Sequence, residues 1–234
     1  MDEGAMPDPE PMTPSPGWTV LHLFWRVGPA TDAEAVAAAV KACQGDDHQV
    51  VTWVVLGHKA DMATMALGPD LWRLHRFQAE LIAAGLDLTA SYLSLTEVSE
   101  YAKGMPAERL EPRLHPQLPP ADKPVVCFYP MSKRRETIGN WYALPYEERE
   151  RLMFGHGKKA REFSGRVVQL VTGSTGLDDW EWAVTLFADD VAAIKACVHE
   201  LRFDEASSVY ADFGPFLVGL VVPVEEALQR LGPS

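Results

Sequence analysis

The segment 127–142, CFYPMSKRRETIGNWY, concentrates side chains that can do chemistry. Alternate residues of a strand share a face, so Cys127, Tyr129, Met131 and Lys133 point the same way. A phenol, a thioether and an ammonium on one inward face make a poor apolar core. The charge in particular is costly to bury unless an anion meets it. Either an anion does meet it, or this is a strand end where Lys133, Arg134 and Arg135 are solvated. Downstream, ERLMFGHGKKAREF (150–163) puts His156 between two glycines in a helical pattern. Each glycine costs about 1 kcal/mol in a helix interior. Two beside one histidine suggest that something bulky and flat approaches the backbone. A neutral imidazole there suits axial ligation of haem iron. A helix that bends at glycine and carries a surface histidine gives the same pattern.

Other positions carry weaker signals. Gln169 interrupts the apolar run VVQLV and faces either a polar cavity or solvent. Trp180 and Trp182 share a face opposite Glu181, where aromatics wall a pocket or fill a core. Ser207 lies just past an amphipathic helix, where its hydroxyl serves a carboxylate or the helix end. His115, before a proline in RLHPQLPP, reads as a surface residue on these grounds alone. No zinc spacing, P-loop, GxGxxG or GxSxG occurs.

The elements that must hold these residues follow a repeating order. Strand patterns cover 20–27, 50–56, 62–67 and 88–98, with amphipathic helices at 32–43 and 69–84. The order βαββαβ recurs with strands at 125–131, 167–173, 181–187 and 216–222, and helices at 146–163 and 191–203. This predicts an α+β fold of two ferredoxin-like repeats, residues 17–102 and 124–234, whose sheets pack or close into a barrel. A proline-rich linker, 103–123, joins them; linkers of that length often carry function. Residues 1–16 hold five prolines, four acids and no Lys or Arg, and read as a disordered tail.

Bulk composition narrows the classes. A formal charge of −12 disfavours a nucleic-acid partner. No apolar run approaches the roughly 20 residues of a membrane helix, and the N-terminus lacks the features of a secretory signal. The chain therefore reads as soluble and cytoplasmic. Cys43, Cys127 and Cys197 form no CxxC pair and read as buried thiols.

Taken together, YPMSKRR…NWY, then HG, then Q…TGS.G.DD.EW.V.LF.DD, then RFDEAS…FGPF…G resemble the coproheme decarboxylases, a branch of the chlorite-dismutase-like proteins. The matching blocks run from Tyr129 to Gly219. The resemblance implies a dimeric α+β barrel, a homopentamer, and iron coproporphyrin III (coproheme) bound in the C-terminal half. It implies that hydrogen peroxide drives conversion of the propionates at positions 2 and 4 to vinyls, giving haem b. A ferrochelatase would supply the substrate. His156 then matches the iron ligand, Tyr129 the tyrosine whose radical attacks the propionate, and Lys133 the lysine that binds a propionate. Trp141 and Met131 match pocket residues, Gln169 the distal glutamine and Ser207 a propionate-binding serine.

Two positions depart from the pattern. Many members carry an arginine where this chain has His115, which places it in an actinobacterial-like branch with a distal histidine as peroxide base. An imidazole is a base near neutral pH, which guanidinium is not. Ala143 replaces a bulkier apolar residue. Competing readings are another haem peroxidase or chlorite dismutase, or a haem carrier or sensor without turnover. Chlorite dismutases place an arginine where this chain has Gln169, which disfavours the former.

Overall fold

The computed structural model describes residues 9–14, 17–102 and 104–232. Ten residues of the expected tail, 1–8 and 15–16, lie outside this set. Met12 is ordered by two backbone bonds, donating to Asp70 Oδ1 at 3.1 Å and accepting from the Leu71 N–H at 3.0 Å.

The first repeat runs β1 (Thr19–Val27), α1 (Ala33–Cys43), β2 (Gln49–Leu56), β3 (Met62–Gly68), α2 (Leu71–Ala83) and β4 (Leu86–Thr96). Asp32 and Asp70 start its helices, their side chains accepting from the N–H groups of Ala35 and Trp72. The linker is less extended than its prolines imply, because it holds α3 (Ala107–Leu114). Pro106 only precedes the first turn, and Pro112 alone sits inside, at the cost of one helix hydrogen bond.

The second repeat follows with β5 (Val125–Lys133), α4 (Tyr146–Arg161), β6 (Val167–Gly173), β7 (Trp182–Ala188) and α5 (Val191–Arg202). A one-turn α6 (Glu205–Ser208) and a short β8 (Ala211–Phe213) precede β9 (Leu217–Val221), and α7 (Val224–Leu231) ends the fold.

Strand order is β4-β1-β3-β2 in one repeat and β6-β7-β5-β9 in the other, the same topology read in opposite directions. Two seams join the sheets. β2 pairs with β9 from Trp53↔Val221 to Leu56↔Val218, and β4 pairs with β6 at Leu95↔Gly173 and Thr96↔Thr172. With β5 paired to both β7 and β9, eight antiparallel strands close into a barrel, as two ferredoxin-like repeats predict. β8 adds to the end of β5.

The barrel interior is filled. Val20, Phe24, Trp53, Met65, Phe128 and Phe187 meet there. His22, fully buried among them, pairs through Nε2 with Thr185 Oγ1 at 3.0 Å, and burial pushes its pKa down to about 3. It therefore stays neutral near neutral pH.

Outside, the two repeats differ. Leu21, Leu23 and Trp25 of the first are covered by α1, α2 and α7. The second turns Val125, Cys127, Tyr129, Val184 and Leu186 outward, partly beneath Ile194 of α5. Tyr129, Met131 and Lys133 therefore share a face as predicted, but it looks away from the lumen, which Val126 and Phe128 already occupy.

Gly219 marks where closure is tightest. A Cβ there would overlap the Val54 carbonyl oxygen and stand 2.6 Å from Trp53 Cδ1. Gly219→Ala is expected to lower stability by about 1–3 kcal/mol, read as a fall in the thermal unfolding midpoint.

Candidate functional site

A cavity of about 1910 Å³ lies between the outer face of the second sheet, helix α4 and the linker. Ligand pockets usually span roughly 300–1,000 Å³, so this one suits a larger guest. The eight site residues expected from the family resemblance all line it. β5 and β6 supply Tyr129, Met131, Lys133 and Gln169. The segment before α4 supplies Trp141, α4 itself His156, α6 Ser207, and the linker His115.

Helix α4 is shaped by what it leaves open. Glu147 and Glu148 occupy its first turn and Lys158, Lys159 and Arg161 its last, matching the helix dipole. Only Leu152 is buried. A Cβ on either Gly155 or Gly157 would meet nothing within 4 Å, and Gly157 lines the cavity. Gly157 thus leaves free space on the cavity side beside His156.

His156 is fixed through one ring nitrogen. Its Nδ1 lies 3.0 Å from Asp204 Oδ2, and Asp204 is buried. An ionised carboxylate only accepts, so Nδ1 carries the hydrogen and Nε2 keeps its lone pair. Burial lowers the His156 pKa, reinforced by Lys133 and Lys159 and opposed by Asp204. The outcome is a neutral imidazole with an oriented basic nitrogen. Asp204 escaped the sequence reading although RFDEAS contains it, because nothing local links it to a histidine 48 positions earlier.

Lys133 is a buried cation. Its Nζ donates to the Ala206 carbonyl at 2.8 Å and lies 4.0 Å from the centroid of the buried Trp141 ring. Burial pushes its pKa down to about 8, with Asp204 and Glu181 partly offsetting the fall. The Lys133 N–H donates to Glu181 Oε2 at 2.8 Å, which fixes the strand end.

Tyr129 stacks on Phe216 at 4.4 Å and leans on Phe213 at 6.0 Å. Burial raises its pKa well above the usual tyrosine range, so the phenol keeps its proton. Arg202 places its guanidinium 3.5 Å over the Phe213 ring, and its charge acts on Tyr129 in the opposite sense to burial. Arg202 also lines the cavity, without a carboxylate partner among the described residues. It too lay unremarked in the RFDEAS block.

The remaining positions resolve as follows. Gln169 pairs with Leu186 across the sheet and so takes the outer, cavity-facing side. Ser207 sits in α6, buried at the cavity wall. The two tryptophans separate, contrary to expectation. Trp182 lines the cavity while Trp180 packs on the barrel interior. β7 begins only at Trp182, so strand alternation does not extend back to Trp180. Ala143 is exposed, and nothing in the structure explains its departure from the family pattern.

His115 ends α3, and the chain after it is pinned to the first repeat. Gln49 donates to the Pro116 carbonyl and accepts from the Leu118 N–H, both at 2.8 Å. Thr96 Oγ1 donates to the Leu114 carbonyl at 2.7 Å. The linker therefore forms part of the cavity wall. Six lining residues are Lys or Arg and five are Glu, so the cavity is far less acidic than a chain of charge −12. An oriented imidazole nitrogen, open space beside it, and cations lacking anions suit a flat, metal-bearing, polyanionic ligand.

Comparison with known proteins agrees. Residues 30–222 match the family described as Chlorite dismutase. A coproheme decarboxylase of Staphylococcus saprophyticus is 38% identical, the match covering 92% of this chain and 95% of that one. A Natronomonas pharaonis protein named for heme binding is also 38% identical over 92% of this chain, which spans 40% of that longer protein. A heme-binding protein from Thermus thermophilus superimposes with a TM-score of 0.82 at 37% identity, covering 98% of this chain and all of that one.

Because the folded state holds Lys133 near 8 and the unfolded chain near 10.5, the unfolded state binds more protons between those values. Stability of the ligand-free protein, measured against Lys133→Met by denaturant unfolding, should therefore rise from about pH 8 to 10.5. A flat difference across that window would contradict the burial argument.

Proposed function

The chain belongs to the chlorite dismutase family, and within it we propose that the protein acts as a coproheme decarboxylase. It oxidises the propionates at positions 2 and 4 of iron coproporphyrin III with hydrogen peroxide, releasing carbon dioxide and leaving the vinyls of haem b. The observation that carries this reading is the meeting of His156, Tyr129 and Lys133 on one cavity. The 38% identity to a coproheme decarboxylase over most of both chains supports the same reaction.

The donor set fits the macrocycle. No cluster of three or more His, Cys, Asp or Glu among the described residues is placed to hold a bare metal ion. A porphyrin would bring the other ligands that iron at His156 needs, and the open side of Gly157 leaves room on the cavity for a flat one. Asp204 would orient His156 and strengthen it as a ligand. When bound, iron with peroxide supplies the oxidising power.

The protein supplies position and charge. Lys133 gains the anion it lacks when a propionate arrives, and Ser207 and Arg202 add donors for further carboxylates. Trp141, Met131 and Gln169 line the same cavity and would contact the porphyrin, Gln169 in the role of the family's distal glutamine. Tyr129, protonated and stacked on Phe216, would give up its electron and proton together to the oxidising power that iron and peroxide supply, and the phenoxyl radical so formed would take a hydrogen atom from the propionate arm, restoring the phenol. His115 takes the proton of the incoming peroxide at the linker wall. Assembly as a homopentamer, a cytoplasmic location and handover from a ferrochelatase complete the proposal on family resemblance. No helix among the described residues is long and apolar enough to cross a membrane.

Coproheme-loaded protein titrated with peroxide should lose two carbon dioxide units by way of a three-propionate intermediate, followed by chromatography and mass. Tyr129→Phe should bind coproheme and yield neither product. Pigment unchanged by peroxide in the parent would sink the reading, as would full turnover by the Phe variant. Gly157→Ala should separate folding from binding. It is expected to stabilise ligand-free α4 by about 1 kcal/mol while weakening coproheme affinity in an absorbance titration.

A further inference from the structure

His115 Nδ1 lies 2.6 Å from Glu111 Oε1, and both side chains line the cavity. They stand four residues apart at the end of α3, the spacing that brings side chains together on a helix. The His115 N–H also donates to the Glu111 carbonyl at 2.8 Å, so backbone and side chain fix the pair jointly. On its other side the ring rests against Trp18, centroids 5.0 Å apart. Trp18 is buried, and its N–H donates to Thr96 Oγ1, the hydroxyl that also holds Leu114. Gln49 clamps Pro116 and Leu118 immediately beyond.

An exposed histidine–carboxylate contact of this kind adds little to stability. Its consequence is the tautomer. A carboxylate can only accept, so Nδ1 carries hydrogen and Nε2 is left as the basic nitrogen. The arrangement repeats that of His156 with Asp204. Two histidines of one cavity each have Nδ1 bound to a carboxylate.

We propose that Glu111 is a positioning residue that holds His115 with Nε2 unprotonated and available to the oxidant. This rests on the reading of His115 as the peroxide base. In the step concerned, the O–H bond of hydrogen peroxide breaks and Nε2 gains the proton, leaving hydroperoxide. Glu111 then faces the positive ring through the same Nδ1–H, which stabilises it.

The test uses the full chain labelled with ¹⁵N-histidine, with His115 signals identified by their loss in His115→Ala. In the parent, His115 should show a protonated Nδ1 and a bare Nε2. Glu111→Ala should lose that pattern, whereas Glu111→Gln, which keeps an acceptor oxygen, should retain it. In coproheme-loaded protein, Glu111→Ala should slow peroxide consumption on the order of tenfold, part of the roughly 10²–10⁴ expected of a general base. Glu111→Gln should recover most of the rate. An unaltered ¹⁵N pattern in Glu111→Ala overturns the proposal. So does an unaltered peroxide rate in that variant when His115→Ala is slow. A fast His115→Ala would instead overturn the reading of His115 as base, while the ¹⁵N pattern still decides whether Glu111 sets the tautomer.

Discussion

The hydrogen bond from His156 to Asp204 ties helix α4 to the turn after α5, and the site depends on it. α4 buries only Leu152, too little apolar surface to fix a helix of its length. Polar links supply much of what is missing: Arg149 with the Tyr101 hydroxyl at 3.1 Å and Arg151 with Glu205 at 3.5 Å. Both are at least partly exposed and individually weak. Asp204 is buried, so its bond to His156 is the one that defines both the depth of the helix and the tautomer of the ring. Losing it would leave a carboxylate buried without its histidine and an imidazole free to turn.

The same corner of the fold sets the charge of the site. Lys133 is held beneath α6 by the Ala206 carbonyl and the Trp141 face, and the charges of Asp204 and Glu181 offset its burial only in part. Arg202 is likewise satisfied by an aromatic face rather than by a carboxylate. A protein selected for stability alone has little reason to bury a cation this way. A tetra-anionic substrate supplies the reason, because its carboxylates provide what the fold withholds. The acidic exterior meanwhile leaves the cavity as the place where an anion is best received.

Much of this was legible in the sequence. Strand alternation grouped Tyr129, Met131 and Lys133, and the order βαββαβ, twice, pointed to the barrel. The paired glycines marked His156. What alternation cannot say is which side of a sheet is the lumen, since that depends on closure through β2–β9 and β4–β6. Nor does it hold across a strand's first residue, which is why Trp180 and Trp182 part company. Proline content concealed α3, a short helix that tolerates Pro112. Asp204, Arg202 and Glu111 were missed for another reason. Their side chains are ordinary acids and a base until the fold sets them beside a particular ring, and for Asp204 that contact crosses 48 positions.

The two repeats show how one topology yields a filled half and an open one. In the first, α1 lays Val36, Ala39, Val40 and Cys43 onto the sheet, and β1 answers with Leu21, Leu23 and Trp25. In the second, α4 has Gly157 and His156 on the cavity side, and β5 answers with a phenol, a thioether and an ammonium. Each large apolar side chain fully buried contributes roughly 1.5–3 kcal/mol, so α4 forgoes several such contributions that α1 collects. A porphyrin seated between α4 and the sheet would bring the missing apolar area with it. The second half would then gain in stability as ligand is taken up. The first half needs no such help. It can act as the rigid body from which Gln49, Thr96 and Trp18 hold the linker, and with it His115, at the cavity wall.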